Sequence, residues 1–161
     1  MEEIVVARAT PADIPGLVQC AAGLFAEDAG TRDKTIDAEW PVKHAAQRFS
    51  ETISDPARLV LAARHAAEIV GSLSGTLDAA TAMRPIRVAT LISMYVHPRY
   101  RRSGVGGRLV EQFRAWAQEM NATRITVTAY TTNEAAIRFY RRAGFMPYAL
   151  TLEADLAPGK V

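Results

Sequence analysis

Hydrophobic residues along this chain follow two spacings in turn, one typical of strands and one typical of helices. Apolar residues spaced three or four apart predict helices that begin near Thr10, Pro41, Val105 and Asn133. Apolar runs predict strands at 4–7, 59–63, 69–77, 88–96 and 124–130. Residues 145–156 have room for one or two further strands. The pattern therefore predicts a mixed α/β (α+β) fold with a central sheet of about 6–7 strands and about four helices.

The order of these elements also predicts how neighbouring strands pair. Only a short turn separates the runs 59–63 and 69–77, so we expect them to form an antiparallel hairpin. The runs 88–96 and 124–130 flank the helix that begins at Val105. This is the layout of a right-handed βαβ unit, whose two strands are parallel.

The composition mainly excludes classes of protein and kinds of site. With 161 residues, 49% of them hydrophobic, the chain suits one domain over 1–161, with a frayed tail at 157–161. The formal net charge of +2 is too small to indicate general nucleic-acid binding. Cys20 is the only cysteine, so no internal disulfide can form, and the three histidines lack the spacing of a metal site. The acidic start and the lack of an apolar run near ~18 residues argue for a cytoplasmic protein without a membrane partner.

A glycine-rich turn follows the apolar run 88–96, and a long amphipathic helix follows the turn. The turn carries Gly104, Gly106 and Gly107 among several arginines. A strand, a glycine turn and a helix N-terminus together form an arrangement that binds phosphate, because unpaired N–H groups and the helix dipole point at the anion. It is neither a P-loop, since no Gly-Lys-Ser/Thr occurs, nor a dinucleotide fingerprint, since Leu109 stands at the third glycine position.

A second motif lies near the end of the chain, at residues 131–145. It begins with the capping residues Thr132 and Asn133, continues with helical spacing, and ends at Gly144, which suits the left-handed position after a helix. The sequence Asn-x-x-Ala-x-x-Phe-Tyr-x-x-x-Gly-Phe spans this helix, with Tyr140 near its end. The two motifs together are more specific than either one alone.

Residues 88–147, with the motif Arg101-x-x-Gly104-x-Gly106 and the second motif, closely resemble the GNAT N-acetyltransferases. The resemblance implies a GNAT-like acyltransferase fold in which acetyl-CoA lies between two splayed parallel strands, here 88–96 and 124–130. It implies that the backbone of Met94 and Val96 pairs with the pantetheine arm, that Asn133 touches this arm, and that Tyr140 lies near the thioester sulfur. The implied pyrophosphate site is the loop that comprises Arg101, Arg102, Ser103, Gly104, Val105, Gly106 and Gly107.

The chemistry that the resemblance implies needs few groups. A neutral amine attacks the thioester, and a backbone N–H near Met94 is the candidate donor to the oxyanion. Tyr140, a phenol with an ordinary pKa of ~10, is the candidate acid for the leaving thiolate. Many family members carry a carboxylate just before the position of Met94, whereas this chain has Ile92 and Ser93 there. The general base is therefore not identified from the sequence.

Either a carboxylate from the first half of the chain serves as the base through water, or the amine arrives already neutral. Residues 27–39 are the candidate source of such a carboxylate. The segment holds five acidic and two basic residues, and the family layout places it beside the acceptor site. Glu27 and Asp28, together with Ser93, are the candidate acceptor-binding residues, and an acidic rim would favour cationic amines. An ordinary solvated loop explains the same charges equally well.

Two functions remain open at this point. The first is an enzyme that transfers an acetyl group from acetyl-CoA to a primary amine on a small molecule or peptide. The alternative is a non-catalytic acyl-CoA-binding sensor or interaction module, favoured by the missing base at Ile92 and Ser93 and opposed by the intact Tyr140. The identity of the amine, the acyl-chain preference and a homodimer are all left open.

Overall fold

The computed structural model describes residues 2–157, which form ten helices and strands around one sheet. In chain order these are β1 (Val5–Arg8), α1 (Ile14–Glu27), α2 (Ala29–Arg32), α3 (Ala46–Ile53), β2 (Arg58–His65), β3 (Glu68–Asp78), β4 (Val88–Val96), α4 (Val105–Glu119), β5 (Arg124–Val127) and α5 (Glu134–Arg142). A π-helical turn at Pro41–Ala45 leads directly into α3, and 3₁₀ turns lie at Pro11–Asp13 and Pro98–Tyr100.

The helices begin and end where the capping residues predict. The Thr10 backbone N–H donates to the Asp13 carboxylate at 2.7 Å, which closes the turn that leads into α1. At α5 the Asn133 side-chain oxygen accepts from the Ala136 N–H at 3.2 Å. After α5 the chain turns at Gly144, which has a φ of +99° that side chains with a Cβ rarely adopt.

The sheet has five strands in the order β1-β2-β3-β4-β5. The first three pairs are antiparallel, and β4 and β5 are parallel, as the βαβ layout predicts. The parallel pairing extends only from Val88 to Leu91 on β4, opposite Arg124 to Val127 on β5. Beyond these residues the two strands separate, which confirms the predicted splayed parallel strands and opens a cleft between them.

A one-residue irregularity in β4 lies at the start of this separation. Ser93 pairs with Ser74 of β3, but Leu91 pairs with the next residue, Gly75, so Ile92 has no partner in the register. A β-bulge of this kind changes which side chains face each side of the sheet. Leu91 and Ala89 face the layer of α4 before the bulge, and Met94 and Val96 face it afterwards.

Helices cover both faces of the sheet. On one face Leu109, Phe113 and Trp116 of α4 pack on Leu73 and Leu91. On the other face α1 packs on β3 and β4, and α3 packs on β2. Both faces of the central strands are therefore buried, which explains their nearly continuous apolar runs.

The structure corrects three details of the predicted organisation. The sheet has five strands rather than 6–7, because residues 145–156 form no strand among the described residues. The predicted loop 27–39 contains the single-turn helix α2, and β5 ends at Val127 instead of continuing to Tyr130. Of the predicted frayed tail, 158–161 lie outside the described residues. Over 2–157 no helix has the length and apolarity needed to cross a membrane.

Candidate active site

The turn before α4 presents a row of unused backbone donors. Among residues 2–157, no hydrogen bond is found for the backbone N–H groups of residues 102–107. The turn is shaped by two residues with positive φ, Arg102 at +63° and Gly104 at +86°. Successive N–H groups in such a turn, at the positive end of a fifteen-residue helix, form an anion-binding concavity. The predicted pyrophosphate site therefore has the donors that an anion needs.

The three glycines of this turn have different surroundings. A Cβ built at Gly104 or Gly107 would meet no atom within 4 Å, so both positions border open space. A Cβ at Gly106 would lie 3.3 Å from the Phe139 ring. Gly106 therefore permits the close packing of α4 on α5, whereas Gly104 and Gly107 leave the space where a ligand can approach.

Protein groups bind two of the four arginines around the turn. Arg101 donates to the Val96 carbonyl at 2.8 Å and to the Glu27 carboxylate at 2.6 Å. Its guanidinium also lies over the Tyr95 ring, 5.5 Å from the centroid. Arg108 donates to the carbonyl of Ile4 at 2.6 Å. The Arg101 side chain therefore links β4 to the end of α1, and the predicted contacts of Arg101 and Val96 with a cosubstrate must compete with these bonds.

The Ser103 hydroxyl and the remaining two arginines complete the turn. Ser103 donates to the Tyr100 carbonyl, which holds the turn closed and leaves the Ser103 backbone N–H free. Arg99 and Arg102 are exposed and form no ion pair within 2–157. These two guanidinium groups supply exposed positive charge beside the free N–H groups.

The cleft between β4 and β5 lies next to this turn and has a volume of about 100 Å³. Three residues of the second motif line it, together with the end of α1 and the separated parts of the two strands. Its lining comprises Leu24, Asp28, Leu91, Ile92, Ser93, Met94, Val127, Thr128, Ala129, Asn133, Ala136 and Tyr140. The structure thus brings together Asp28, Ser93, Met94, Asn133 and Tyr140, and it places Glu27 outside this set.

Tyr140 is held by aromatic neighbours, and its hydroxyl is unused. The rings of Phe139 and Phe145 lie edge-on to it, at centroid distances of 5.3 and 5.7 Å. No hydrogen bond to the Tyr140 hydroxyl is found among the residues that the structure describes. Burial, and then the negative charge of Asp28, raises the pKa of Tyr140 to about 12. The phenol is therefore neutral at physiological pH and able to donate a hydrogen bond into the cleft.

Asp28 is the carboxylate that faces Tyr140. One of its oxygens, Oδ1, accepts from the Arg32 Nε at 2.7 Å and from the Asn133 Nδ2 at 3.1 Å. Arg32 also donates to the Thr132 hydroxyl at 3.1 Å, which ties α2 to the start of α5. For the second oxygen, Oδ2, no hydrogen bond is found within residues 2–157. One face of the carboxylate is thus fixed, and the other is available to a ligand.

The β4 side of the cleft has no ionisable side chain. Ile92 and Ser93 line it where the family resemblance leads one to look for a base, and Ile92 is 58% exposed at the bulge. From Ile92 onwards β4 has no strand on its β5 side, so alternate backbone groups there are free to pair with a ligand. In the range 2–157, no three His, Cys, Asp or Glu side chains are grouped to hold a metal ion.

A wider hollow of about 560 Å³ lies elsewhere, between the start of α1 and the turn that joins β2 and β3. It contains no residue of either motif. Its buried carboxylate, Asp13, is already bound by Arg64 at 3.0 Å from Nε to Oδ1. The narrower cleft is therefore the better candidate, because it alone combines free donors, a free carboxylate oxygen and a buried phenol.

Sequence reasoning missed the residues that hold Asp28 in place. The sequence gives Arg32 no role, it offers Thr132 only as a helix cap, and the family resemblance directs Asn133 to the cosubstrate rather than to Asp28. An Asn at an N-cap accepts a helix N–H with its side-chain oxygen and keeps a free amide donor, so its presence signals a further hydrogen-bond partner. Nothing in the sequence indicated that the partner of this amide would be Asp28, 105 residues away.

Curated proteins that resemble this chain carry acetyltransferase descriptions. Proteins described as uncharacterized N-acetyltransferases from Mycobacterium bovis and Mycobacterium tuberculosis are 33% identical to this chain over 98 residues. The match covers 61% of this chain and 59% of the length of those relatives. The chain thus matches less than two thirds of the length of these curated relatives.

Solved structures resemble the whole fold. A transcriptional regulator from Bacillus halodurans is 26% identical, with a TM-score of 0.77 over 96% of this chain and 100% of that one. An aminoglycoside N-acetyltransferase in complex with CoA has a TM-score of 0.79 at 11% identity, over 98% and 97% of the two chains. A glucosamine-6-phosphate N-acetyltransferase from Arabidopsis thaliana has a TM-score of 0.73 at 14% identity, over 97% and 100%. The last two likenesses show the fold alone.

The model of the acetyltransferase (GNAT) family matches residues 25–145. This range contains the turn before α4 with its free N–H groups, both strands that border the cleft, and the side chains of Asp28 and Tyr140 that face each other across it. The sequence motifs, the splayed strands and the family match therefore agree, and the chain belongs to the acetyltransferase (GNAT) family.

Proposed function

We propose that this protein transfers an acetyl group from acetyl-CoA to the primary amine of a cationic acceptor. One observation carries the proposal: the free Oδ2 of Asp28 and the unused hydroxyl of Tyr140 face the same cleft, beside a turn with six free backbone N–H groups. The carboxylate suits an amine, the phenol suits a leaving thiolate, and the anion site suits a pyrophosphate.

The residues of the turn fit acetyl-CoA, which supplies the activated acetyl thioester when it is bound. The N–H groups of residues 102–107 would hold the pyrophosphate, and Arg99 and Arg102 would add positive charge around it. The unpaired side of β4 around Met94 would hold the pantetheine arm and provide the N–H donor for the oxyanion.

Asp28 would bind the acceptor. An ammonium that enters the cleft can donate to Oδ2, while Arg32 and Asn133 hold Oδ1. The amine must lose a proton before it attacks, and Asp28 is the carboxylate in the cleft that can accept it directly or through water. This proposal replaces the carboxylate that is missing at Ile92 and Ser93 by one from the α1–α2 junction.

Tyr140 would act on the leaving sulfur as a hydrogen-bond donor. A phenol with a pKa of about 12 is a weaker acid than a thiol, whose ordinary pKa is ~8.5, so complete proton transfer to the thiolate is uphill. The hydroxyl stabilises the negative charge as it develops on sulfur, and this effect is strongest in the transition state. Its role therefore depends on the hydroxyl being present and neutral.

A thiol-release assay with acetyl-CoA and a panel of amines tests the proposal. The panel should pair each cationic amine with a neutral analogue of similar size, since Asp28 is expected to favour the cationic member. Release of CoA that depends on the amine supports the transferase. Binding of acetyl-CoA by calorimetry with no amine-dependent release would contradict it and favour the non-catalytic acyl-CoA-binding module.

A further inference from the structure

Arg101 differs from the residues that follow it in the turn before α4. Its backbone N–H donates to the Pro98 carbonyl at 3.3 Å. Its guanidinium donates to the Val96 carbonyl at 2.8 Å and to the Glu27 carboxylate at 2.6 Å. Arg102, by contrast, forms no ion pair within 2–157. The Arg101 side chain is therefore directed at the end of α1, where an acidic partner neutralises its charge, rather than at the free N–H groups of the turn.

A close approach of α1 to β4 accompanies this ion pair. Gly23 lies four residues before Glu27, on the same face of α1. A Cβ at Gly23 would lie 2.6 Å from the Tyr95 ring, so the lack of a side chain at this position lets the helix pack on that ring. The Arg101 guanidinium lies over the same ring, 5.5 Å from its centroid. Tyr95, Arg101 and Glu27 thus form one group of contacts, the Arg101 cluster, which joins the last turn of α1 to β4.

Asp28 directly follows the residue that the Arg101 cluster holds. Its N–H donates to the Leu24 carbonyl at 2.8 Å, which completes the last turn of α1. Its φ of −125° and ψ of −92° then lead the chain into α2, a single turn of four residues. A helix this short is not stable by itself. The direction of the Asp28 carboxylate therefore depends on the contacts that anchor the junction between α1 and α2.

Each side of this junction has its own anchor. After the junction, Arg32 of α2 donates to Oδ1 of Asp28, and Asn133 donates to the same oxygen. Before the junction, the ion pair of Glu27 with Arg101 fixes the last residue of α1. The first anchor holds one carboxylate oxygen of Asp28, and the second holds the helix end from which this residue projects. Both anchors together leave the second oxygen facing the cleft.

We propose that Arg101 and Glu27 are positioning residues for the amine acceptor, and that they act through Asp28. The inference rests on the function proposed above for Asp28. The ion pair holds the end of α1 against β4, so that the adjacent carboxylate faces Tyr140 across the cleft. The Arg101 side chain then serves the acceptor, although this residue belongs to the turn that is proposed to bind the cosubstrate. The competing possibility is that Arg101 leaves Glu27 and binds the pyrophosphate.

Steady-state kinetics and calorimetry on matched variants test the proposal, with the cationic amine of the panel that releases CoA fastest. Glu27→Gln and Arg101→Met each remove the ion pair. The two side chains are 43% and 44% exposed, so each variant should raise the KM for the amine by about 2- to 5-fold, as for an exposed ion pair. The dissociation constant of acetyl-CoA should not change. Arg102→Met is the control, and it should weaken acetyl-CoA binding without a change in the KM for the amine.

A double-mutant cycle shows whether the effect passes through Asp28. In an Asp28→Asn background, Glu27→Gln and Arg101→Met should raise the KM for the amine no further, because the carboxylate that they position is absent. The same rise in both backgrounds would overturn the positioning role, and so would an Arg101→Met variant that weakens acetyl-CoA binding as Arg102→Met does. If Asp28→Asn alone leaves the KM for the amine unchanged, the proposed acceptor site fails as well.

Discussion

The Asn133 side chain joins two parts of the candidate site: its oxygen caps α5, and its amide donates to Asp28 at 3.1 Å. Asn133→Ser keeps a good N-cap but removes the amide donor. We expect the melting temperature to change little, the KM for the amine to rise, and the KM for acetyl-CoA to stay constant. A rise in the KM for acetyl-CoA alone would instead assign Asn133 to the cosubstrate.

Asp28 and Glu27 are adjacent but have different predicted roles, which makes them a matched pair. Asp28→Asn should lower kcat/KM for a cationic amine by roughly 10- to 100-fold, the loss expected for a hydrogen bond to a charged group worth about 1.5–3 kcal/mol. Glu27→Gln should have a smaller effect, because the Glu27 carboxylate is bound by Arg101. Steady-state kinetics with one amine compares both variants. Equal losses would contradict the assignment of the acceptor site to Asp28.

Tyr140→Phe removes only the hydroxyl and keeps the ring against Phe139 and Phe145. We expect kcat to fall by something like the ~10²-fold typical of such groups, with an unchanged KM for acetyl-CoA. The raised pKa of about 12 means that the neutral phenol persists to high pH. The wild-type rate should therefore show no loss from Tyr140 ionisation below about pH 11, and the variant should keep the same pH profile at a lower level. A wild-type limb near pH 10 that vanishes in the variant would show that the phenol titrates normally.

The turn before α4 is predicted to bind acetyl-CoA through its N–H groups. Gly107→Pro deletes one such donor in the first turn of the helix, where proline is tolerated. Acetyl-CoA affinity should fall by roughly 10- to 100-fold, as for one hydrogen bond to a charged group. Gly107→Ala is the control, because it keeps the N–H and its Cβ meets no atom within 4 Å. Calorimetry that finds both variants equal to the wild type would reject this N–H group as a ligand contact.

The ion pair of Asp13 with Arg64 predicts a pH-dependent stability. Burial raises the pKa of Asp13, but the hydrogen bonds from Arg64 and Thr10 outweigh it and hold this pKa below its ordinary value of 3.8. The ionised form is therefore favoured by folding, and its stabilisation is present above about pH 4 and lost as the pH falls through the lowered pKa. Asp13→Asn should cost about 1.5–3 kcal/mol at neutral pH and progressively less in acid. Urea unfolding at several pH values would measure this, and a constant difference would argue against the ion pair as its cause.

Local signals predicted most of the elements. The capping residues Thr10, Asn133 and Gly144 and the apolar run at 88–96 all act within a few residues of their positions, so the structure confirms them. The bond that Arg64 donates to Asp13, 51 residues away, has no local signal in the sequence. Long-range pairs of this kind depend on the completed sheet.

The same distinction between local signals and long-range contacts applies to the candidate site. The motifs identified Tyr140 and the turn before α4, because both follow from residues that are close together in the sequence. The acidic segment 27–39 offers Glu27 and Asp28 equally as acceptor-binding residues. Only the structure separates them, because α1 ends so that Glu27 faces Arg101 and Asp28 faces Tyr140. The last predicted strands failed for another reason: residues 146–153 have the right pattern, but within 2–157 they have no strand to pair with.

The bulge at Ile92 makes the length of β4 as important to the site as its composition. Ile92 is the residue without a partner, so Leu91 pairs with Gly75 and Met94 pairs with Leu73 on either side of it. Deletion of Ile92 would remove the bulge and leave a regular strand in which Met94 and Val96 still face α4, but the local bend at the start of the cleft would be lost. A residue inserted after Ser93 would instead exchange the faces of Met94 and Tyr95. Position 92 should therefore accept many side chains, whereas the stretch from Ser93 to Val96 should accept no insertion.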